Sequence, residues 1–464
     1  MKIYKLHITL LCAALGLAGC TGIAPQSAID PSTAQPPSQT QWSNRTTPVH
    51  SAPSTSPWES TFTSPALGAA ISRALSTNRD LIAQRASVER ARQQLIITGA
   101  ARQLNASSTL QSSRTKSTAG VNTAIDLSLN LQLTLDVWGK LSHEQQAAQL
   151  DLASAQAQLR RTQFSLQAQI TDTWYRVVAD NALLSLLTSR QKNLQAQLSG
   201  VQSSYRRGLA SALDIYLARN DVQSAHTQVV TQRQTLHDNS RALQRLLGDY
   251  PSGNIEVDDT LAHIEDDFSP GVPASLMQRR ADLTALWLDV LAQDKRIAAS
   301  YLDRFPQFTL QGNTSVSSAQ LSNLLQQNVA WSLLSTVTQT LFDGGRKEAA
   351  NAQAKATLIE REQAYLKALD SALSDVEGAL KRERTVQQRS ALNLQALENA
   401  QLAEQQVQNQ YANGLADFTQ VLSVQRTLYD AQQQVISLQQ QRVANRIALI
   451  SALGGEPEAA STPT

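Results

Sequence analysis

The chain has 464 residues, of which 42% are hydrophobic and 17% charged, and its formal net charge is +2 at pH 7. So small a net charge over this length offers no electrostatic surface for nucleic acid, and no such partner is expected. Past the N-terminal segment no run of about 18 apolar residues occurs, which excludes a transmembrane helix.

The N-terminal segment has the order of a secretory signal peptide: two lysines, an apolar run over residues 8–17, and small residues ending at Cys20. We interpret residues 1–19 as a lipoprotein signal peptide. The stretch Leu17–Cys20 resembles the lipobox of bacterial lipoproteins, which implies lipid attachment at Cys20; the alternative is a signal with an incidental cysteine. Thr21, where an aspartate would favour the inner membrane, implies an outer-membrane address. Because Cys12 lies inside the signal, no internal disulfide is expected.

Residues 20–57 are rich in Pro, Ser, Thr and Gln, a composition that cannot bury enough apolar surface to fold by itself. We interpret this segment as a lipid-anchored tether. Further along, no proline occurs between Pro65 and Pro251, or between Pro306 and Pro457. Because proline breaks helix interiors and central strands, these two gaps predict two long regular segments.

Within both gaps the sequence is dominated by Ala, Gln, Leu, Arg and Glu, which are strong helix formers. The pattern predicts long helices over residues 140–204 and 346–410. After a turn, each is followed by a returning helix, over 212–248 and 418–453. A continuous helix of that length would extend roughly 100 Å, which is typical of coiled coils or helical repeats.

Between the helical segments the apolar period changes to two. From Ile125 to Val137 every odd residue is apolar and every even residue is polar, the alternation of a strand with one apolar and one polar face. Transmembrane strands need about 9–11 residues and face lipid on one side and a polar lumen on the other. We predict strand hairpins near residues 104–138 and 305–343; the alternative is a solvent-facing strand of a soluble sheet.

The chain also contains matching positions at a constant offset of 206 residues, such as Trp138 with Gly344, Gly208 with Gly414 and Gly248 with Gly454. A single offset held across helices and turns predicts an internal duplication. We place repeat 1 at residues 58–250, an equatorial linker at 251–272, repeat 2 at 273–455 and a disordered tail at 456–464.

Two hairpins supply about four strands, whereas single-chain bacterial barrels begin at eight. An open sheet edge cannot lie in hydrocarbon, where every backbone polar group must be paired within protein. The sequence therefore predicts that several copies of the chain assemble to close one barrel around a conduit.

Nearly the whole mature chain resembles one protein family. The resemblance is carried by residues 58–81, by the corners Leu135–Lys140 and Leu341–Arg346, and by two Tyr-x-x-Gly turns. These segments are similar to the outer membrane factors of the TolC family, especially its lipidated efflux branch. The resemblance implies a mixed α and β membrane protein: a homotrimer with a 12-stranded outer-membrane β-barrel, four strands per chain, continued by a long α-helical periplasmic barrel.

The resemblance also implies partners and a function. The implied partners are a periplasmic adaptor protein and an inner-membrane transporter, commonly of the resistance-nodulation-division type. The implied function is the exit duct of a tripartite efflux pump, which conducts drugs or other toxic small molecules passively. The alternatives are the outer-membrane channel of a type I secretion system and a non-conducting coiled-coil scaffold. A scaffold would explain the helices but not the alternating strands.

Site residues follow from the same family pattern. The strand-to-helix corner residues are Trp138, Gly139, Gly344 and Gly345. The turn and adaptor-docking residues are Tyr205, Gly208, Tyr411 and Gly414. Ser423 occupies a position that is usually acidic, which leaves other residues to close the periplasmic mouth. These gate candidates are Asp214, Asp221 and Asp417, with Arg206, Arg207 and Arg219 as ion-pair partners. The alternative for each aspartate is a solvated charge at a helix start, where aspartate is favourable anyway.

Two segments approach enzyme motifs and fail. Residues 143–147, His-Glu-Gln-Gln-Ala, begin like a zinc protease helix but have Ala147 where the second histidine ligand is required. Residues 113–116 spell the Ser-x-x-Lys of penicillin-binding enzymes without its companion motifs. No catalytic residue, metal or cofactor is therefore expected.

Overall fold

The computed structural model describes residues 42, 61–62, 64–118, 120–258, 260–264 and 276–455. The predicted signal peptide, the predicted lipid-attachment residue Cys20 and the predicted tail over 456–464 lie outside the described residues. The predicted tether does too, except for Trp42, which is buried.

The described chain is mostly helical and carries a four-stranded sheet. The helices are α1 (Pro65–Thr77), α2 (Arg79–Ala100), α3 (Lys140–Arg206), α4 (Ala212–Leu247), α5 (Leu276–Arg279), α6 (Ala281–Leu302), α7 (Arg346–Ala412) and α8 (Phe418–Ala452). The strands are β1 (Asn105–Ser117), β2 (Gly120–Leu135), β3 (Gln307–Ser318) and β4 (Ala330–Thr338), and a 3-10 helix (Leu321–Gln326) precedes β4. Across the described part of the chain, no helix combines the length and the apolar character that crossing a membrane requires.

The two longest helices, α3 and α7, contain 67 residues each, and a rise of 1.5 Å per residue makes each roughly 100 Å long. Each ends two residues beyond the end predicted from sequence, at Arg206 and at Ala412. The helical backbone continues to the turn glycines Gly208 and Gly414, whose φ of 73° then reverses its direction.

The chain divides into two compact units. The described part of the first, which we call the sheet unit, comprises Glu89–Ala155 and Ala285–Tyr365. The second, which we call the helical unit, comprises the described residues up to Val88, Gln156–Thr284 and the described residues from Leu366 onward.

In the sheet unit the four strands follow the order β1-β2-β3-β4, and every neighbouring pair is antiparallel. The register places Leu131 between Ala106 of β1 and Gly312 of β3. Gly312 has no side chain, which leaves room for Leu131. A Cβ added at position 312 would lie 3.6 Å from the Leu131 Cβ. Because β1 and β4 do not pair with each other, each has an outer edge that is not hydrogen-bonded to any described strand of this chain.

The helical unit is built around a core to which α1, α2, α3, α4 and α8 contribute. Its buried side chains include Leu67, Ile71, Leu81, Ile170, Trp174, Val177, Leu243, Leu247, Ile447 and Ile450. These positions recur at helical spacing, so each helix presents one apolar stripe to the core. The described parts of the linker pack on this core through Ile264, and its Asp258 accepts a hydrogen bond from the Trp174 indole at 3.2 Å.

Candidate functional site: an amphipathic sheet and two paired turns

The sheet has one apolar and one polar face, because directly paired residues of antiparallel strands lie on the same side. The apolar face contains the odd-numbered positions of β2 and their partners. Most of them are apolar: Ala106, Leu110, Val121, Ile125, Leu127, Leu129, Leu131, Leu133, Leu135, Phe308, Leu310, Val316, Trp331, Leu333 and Val337. The others are one glycine, six serines and threonines, and the cations Arg114 and Lys116 near the hairpin. The polar face contains Thr109, Gln111, Asp126, Ser128, Asn130, Gln132, Thr134, Thr309, Gln311, Asn313, Ser315 and Thr336, and among its members only Ala124, Ala330 and Leu334 are apolar. The sequence alternation of β2 thus extends across four strands.

Large apolar side chains on the apolar face are exposed in a single chain. Trp331 is 79% exposed, Leu333 67% and Leu110 62%. Exposed apolar surface of this extent marks a site that contacts another protein or a membrane.

On the polar face, neighbouring strands are joined by side-chain hydrogen bonds. The Asn313 amide of β3 donates to the Asn130 Oδ1 of β2 at 2.7 Å. Asp126 is the one charged side chain on this face within the four strands, all of which are described. A face composed mainly of amides and hydroxyls, with one carboxylate, is suited to line an aqueous passage.

The first strand-to-helix corner joins β2 to α3. Asp136 accepts hydrogen bonds from the backbone N–H groups of Leu141 at 3.0 Å and Ser142 at 2.8 Å, which satisfies two donors of the first helical turn. Trp138 donates from its indole to the Pro306 carbonyl at 2.8 Å and stacks on Phe305, with ring centroids 5.1 Å apart. Gly139 has a φ of 82°, which a residue with a side chain rarely adopts.

The second corner joins β4 to α7 and repeats this chemistry. Asp343 accepts hydrogen bonds from the backbone N–H groups of Gly345 and Lys347, both at 3.1 Å. Gly344 and Gly345 have φ values of 67° and 85°. The corner glycines therefore turn the chain, and the aspartates cap the helices.

Asp303, at the end of α6, lies between the two corners and was not singled out by sequence analysis. Its carboxylate forms ion pairs with Lys140 of α3 at 2.5 Å and with Lys347 of α7 at 3.6 Å. Partial burial alone would raise the pKa of Asp303, but the hydrogen bond and charge of Lys140, followed by the charge and hydrogen bond of Lys347, hold that pKa below its ordinary value.

In the helical unit the two turns share one geometry. Beyond α3, Leu209 N–H donates to the Ser204 carbonyl at 2.9 Å; beyond α7, Leu415 N–H donates to the Gln410 carbonyl at 2.8 Å. In both turns the glycine between these groups, Gly208 or Gly414, has a φ of 73°. This is the Schellman arrangement, in which a left-handed residue lets the last helical carbonyls be satisfied.

Two of the gate candidates, Asp214 and Asp417, form the helix starts that follow the turns. Asp214 accepts the Ser211 backbone N–H at 2.8 Å and completes a capping box at α4. Asp417 is the N-cap of α8 and accepts the Gln420 N–H at 3.0 Å. Hydrogen bonds from the Thr419 hydroxyl and from the Gln420 backbone lower the pKa of Asp417.

Side chains that flank the second turn pack against α3 and α4. Phe418 is buried with Leu194, Leu198 and Val222 of α3 and α4. The Tyr411 ring lies 6.1 Å from that of Phe418, centroid to centroid, and its pKa is raised by burial and then by the nearby charge of Asp214.

The third gate candidate, Asp221 of α4, forms an ion pair with Arg426 of α8 at 3.7 Å. Within the described chain none of the predicted partners, Arg206, Arg207 or Arg219, forms an ion pair with the three aspartates. Arg207 instead donates to the Ser204 hydroxyl at 3.5 Å, and Tyr205 is 48% exposed. Sequence analysis missed Arg426 because it lies more than 200 residues from Asp221 and no motif marks it.

The residues of the two enzyme-like segments are not arranged for catalysis. Ser113 and Lys116 lie on opposite faces of β1, because an odd separation along a strand reverses the side. His143 is at the start of α3, and its pKa is lowered by partial burial and by the charge of Lys295. Among the described residues no group of three or more His, Cys, Asp and Glu side chains could hold a metal ion.

An amphipathic sheet with open edges, on a chain with two helices of roughly 100 Å, is typical of a membrane channel protein. The chain belongs to the outer membrane efflux protein family, whose model matches residues 70–249 and 272–455. That family consists of outer-membrane channels and not of enzymes.

Known relatives are similar along most of their length. The chain is 27% identical over 462 residues to the probable outer membrane lipoprotein SilC of Salmonella typhimurium, covering 97% of this chain and 99% of that protein. It is 28% identical over 409 residues to the toluene efflux pump outer membrane protein TtgF of Pseudomonas putida, covering 86% of this chain and 85% of that protein. Its fold is similar to that of the MtrE outer membrane channel of Neisseria gonorrhoeae, with a TM-score of 0.81 at 21% identity over 91% of this chain and 96% of that one.

Proposed function

We propose that this chain forms, as a homotrimer, the outer-membrane exit duct of a tripartite efflux pump. The duct conducts small toxic molecules passively to the outside and catalyses no reaction. The observation that carries the proposal is the four-stranded sheet with an apolar face, a polar face and two unpaired edges, in a chain of the outer membrane efflux protein family.

Closing the sheet requires several copies of the chain, and the family resemblance implies three. Lipid cannot satisfy the backbone groups along the outer edges of β1 and β4, so the edges must pair with other copies. Three copies of four strands give a 12-stranded barrel, an even number within the range of bacterial barrels. The apolar faces then contact lipid, and the polar faces with Asn130 and Asn313 line the lumen.

Internal duplication accounts for the repeated parts. The longest helices, α3 and α7, begin 206 residues apart, and the turn glycines Gly208 and Gly414 have the same separation. Each repeat supplies one hairpin, one long helix, one turn and one returning helix, so that a single unit built twice provides both halves of the duct.

The proposed partners are a periplasmic adaptor and an inner-membrane transporter of the resistance-nodulation-division type. The two paired turns, with exposed Leu209 and Leu415, are the proposed docking surface and periplasmic gate. SilC is named as an outer membrane lipoprotein and TtgF as part of a toluene efflux pump, which supports lipid attachment at Cys20 and small-molecule cargo. Loss of acyl-label incorporation in Cys20→Ser tests the anchor.

Planar bilayers test the duct itself. Purified full-length protein should produce discrete ionic conductance. If the polar face lines the lumen, Asp126→Asn should weaken the preference for cations, because rings of carboxylates attract them. Asp238→Asn, on the exposed surface of α4, is the matched control and should leave the ion preference unchanged. Absence of discrete conductance from the wild-type protein would overturn the proposal.

A further inference from the structure

The apolar face of the sheet carries two cations that the exit-duct function does not use. The register pairs Arg114 with Thr123 and Lys116 with Val121, which places both on the face of Ile125 and Leu127. Among the residues of the four strands, all of which are described, these are the only charged side chains on that face. An unpaired charge on a mostly apolar face is costly in hydrocarbon and calls for a specific surrounding.

Both cations lie at one end of the face. Lys116 precedes the last residue of β1, beside the hairpin that leads to Gly120. At the opposite end of the sheet lie aromatic rings, with the Trp138 centroid 6.4 Å from that of Phe308. The face is therefore bounded by rings at the corner end and by cations at the hairpin end.

The spacing matches a bilayer. From Ile125 to Leu135 the apolar positions of β2 extend roughly 34 Å along the strand, or about 25 Å in height at the usual barrel tilt. That height equals the apolar band of outer-membrane barrels. Arg114, whose partner Thr123 lies two residues beyond Ile125, is consequently at the level of the lipid headgroups.

The chemistry of the pair favours phosphate. Arg114 and Lys116 are exposed, and no described residue forms an ion pair with either. Side chains two residues apart on one face of a strand are about 7 Å apart, so both can contact one phosphate group. The guanidinium fork of arginine matches phosphate oxygens, and lysine adds a compact second charge.

We propose that Arg114 and Lys116 bind the anionic phosphate headgroup of a lipid whose acyl chains lie along the apolar face. The proposal rests on the membrane placement of the sheet under the proposed function. A carboxylate of a second copy does not compete for these cations within the sheet, because the one acid of the four strands, Asp126, is on the opposite face. For the same reason the cations do not face cargo in the lumen.

Lipid selectivity tests the proposal. Full-length protein is reconstituted into vesicles of equal parts phosphatidylglycerol and phosphatidylcholine, and spin-labelled versions of each lipid report the motionally restricted fraction at the protein surface. Wild type should prefer phosphatidylglycerol. Arg114→Gln with Lys116→Gln should lower that preference by up to roughly 25-fold at low salt, since each of the two cations near an anionic surface contributes about a fivefold attraction.

Two further variants serve as controls. Lys192→Gln with Arg233→Gln removes the same charges from exposed positions of α3 and α4 and should keep the wild-type preference. The exchange Arg114→Lys with Lys116→Arg keeps both positive charges but changes the shapes of both side chains. It should also keep the wild-type lipid preference, whereas a role that depended on side-chain shape would be lost. Equal preference in wild type and in the double glutamine variant would overturn the proposal. Displacement of the lipid by inorganic phosphate alone would overturn it too, because it would indicate a site for soluble phosphate.

Conductance of the same vesicles separates this proposal from the proposed function. Wild type and the double glutamine variant should conduct equally, because neither cation faces the lumen. Conduction by both with unchanged lipid preference would overturn the lipid site and leave the duct intact. A wild type that does not conduct would reject the duct, and the lipid preference would still be measurable.

Discussion

At the scale of single residues, Asp303 connects the beginnings of the two longest helices. Its carboxylate pairs with Lys140 and Lys347, and these lysines together hold its pKa below the ordinary value. A carboxyl whose folded-state pKa is depressed stabilises the fold above its unfolded-state pKa, about 3.9 for aspartate, and loses that contribution as the pH falls through the folded-state pKa.

We therefore expect Asp303→Asn to lower the thermal unfolding midpoint of the purified protein at neutral pH. Circular dichroism of the helices measures this midpoint. The difference from wild type should begin to shrink below about pH 4, where Asp303 of the unfolded chain becomes protonated, and should vanish only when the pH falls below the lowered folded-state pKa of Asp303. Asp238→Asn removes an exposed pair with Arg241 and should change stability by only about 0–1 kcal/mol. A deficit of Asp303→Asn that stays constant down to strongly acid pH would contradict this account.

The ion pair between Asp221 and Arg426 joins the starts of α4 and α8 next to the two turns. The Arg426 side chain is 64% exposed, so one such pair contributes only about 0–1 kcal/mol. Symmetry would repeat the contact in every copy of an assembly. We expect Arg426→Gln to raise the open probability of single channels in planar bilayers.

The exchange Asp221→Arg with Arg426→Asp should restore the closed state, because it reverses the pair without removing it. Arg219→Gln is the matched control, since Arg219 has no ion pair with Asp221 in the described chain. Equal open probability in wild type, Arg426→Gln and the exchange would leave the pair as a packing contact without a gating role.

At the scale of elements, strand β2 separates two surfaces by alternation alone. Leu131 lies on the apolar face over Gly312, and the adjacent Gln132 lies on the polar face opposite Gln311. We expect Leu131→Arg to destabilise the membrane-inserted oligomer by about 2–4 kcal/mol if it lies near the bilayer midplane, whereas Gln132→Arg should be tolerated. Denaturant titration of protein in vesicles measures both. Equal damage from the two variants would mean that the faces are assigned the wrong way round.

Periodicity in the sequence was enough to locate these elements. The strict alternation of residues 125–137 marks β2, and the absence of proline with an excess of Ala, Gln and Leu marks α3 and α7. The weaker strands were less visible: β1 has Ser and Thr at most positions, so its apolar face carries only Ala106 and Leu110 as hydrophobic side chains. Strand pairing, and not the sequence of β1 itself, assigns its faces.

The contacts at the candidate sites depend on distant residues and were not predictable from local patterns. Asp303 meets Lys140 and Lys347 only because α6, α3 and α7 come together in the sheet unit. Arg114 was noticed only as part of a failed enzyme motif, since its position on the apolar face requires the register with β2. The gate aspartates were selected by family pattern, and the structure assigns cap hydrogen bonds to two of them.

At the scale of the whole molecule, one chain provides a sheet whose two unpaired edges lipid cannot solvate. The outer edges of β1 and β4 expose rows of backbone N–H and C=O groups, and each such group left unpaired in hydrocarbon costs several kcal/mol. The exposed apolar face, including Trp331 and Leu333, needs lipid or detergent at the same time. The proposed assembly meets both demands, because the edges pair between copies and the apolar faces turn outward.

We accordingly expect purified protein in detergent to have three times the mass of the mature chain, measured by light scattering with the detergent contribution subtracted. Closure by pairing of every edge should make the oligomer cooperative, so that unheated and heated samples migrate differently on gels, with no stable dimer between them. Leu131→Arg should shift this transition to lower temperature, whereas Gln132→Arg, on the polar face, should not. A monomer that still conducts ions in planar bilayers would contradict the assembly, because four strands cannot enclose a passage in lipid without paired edges.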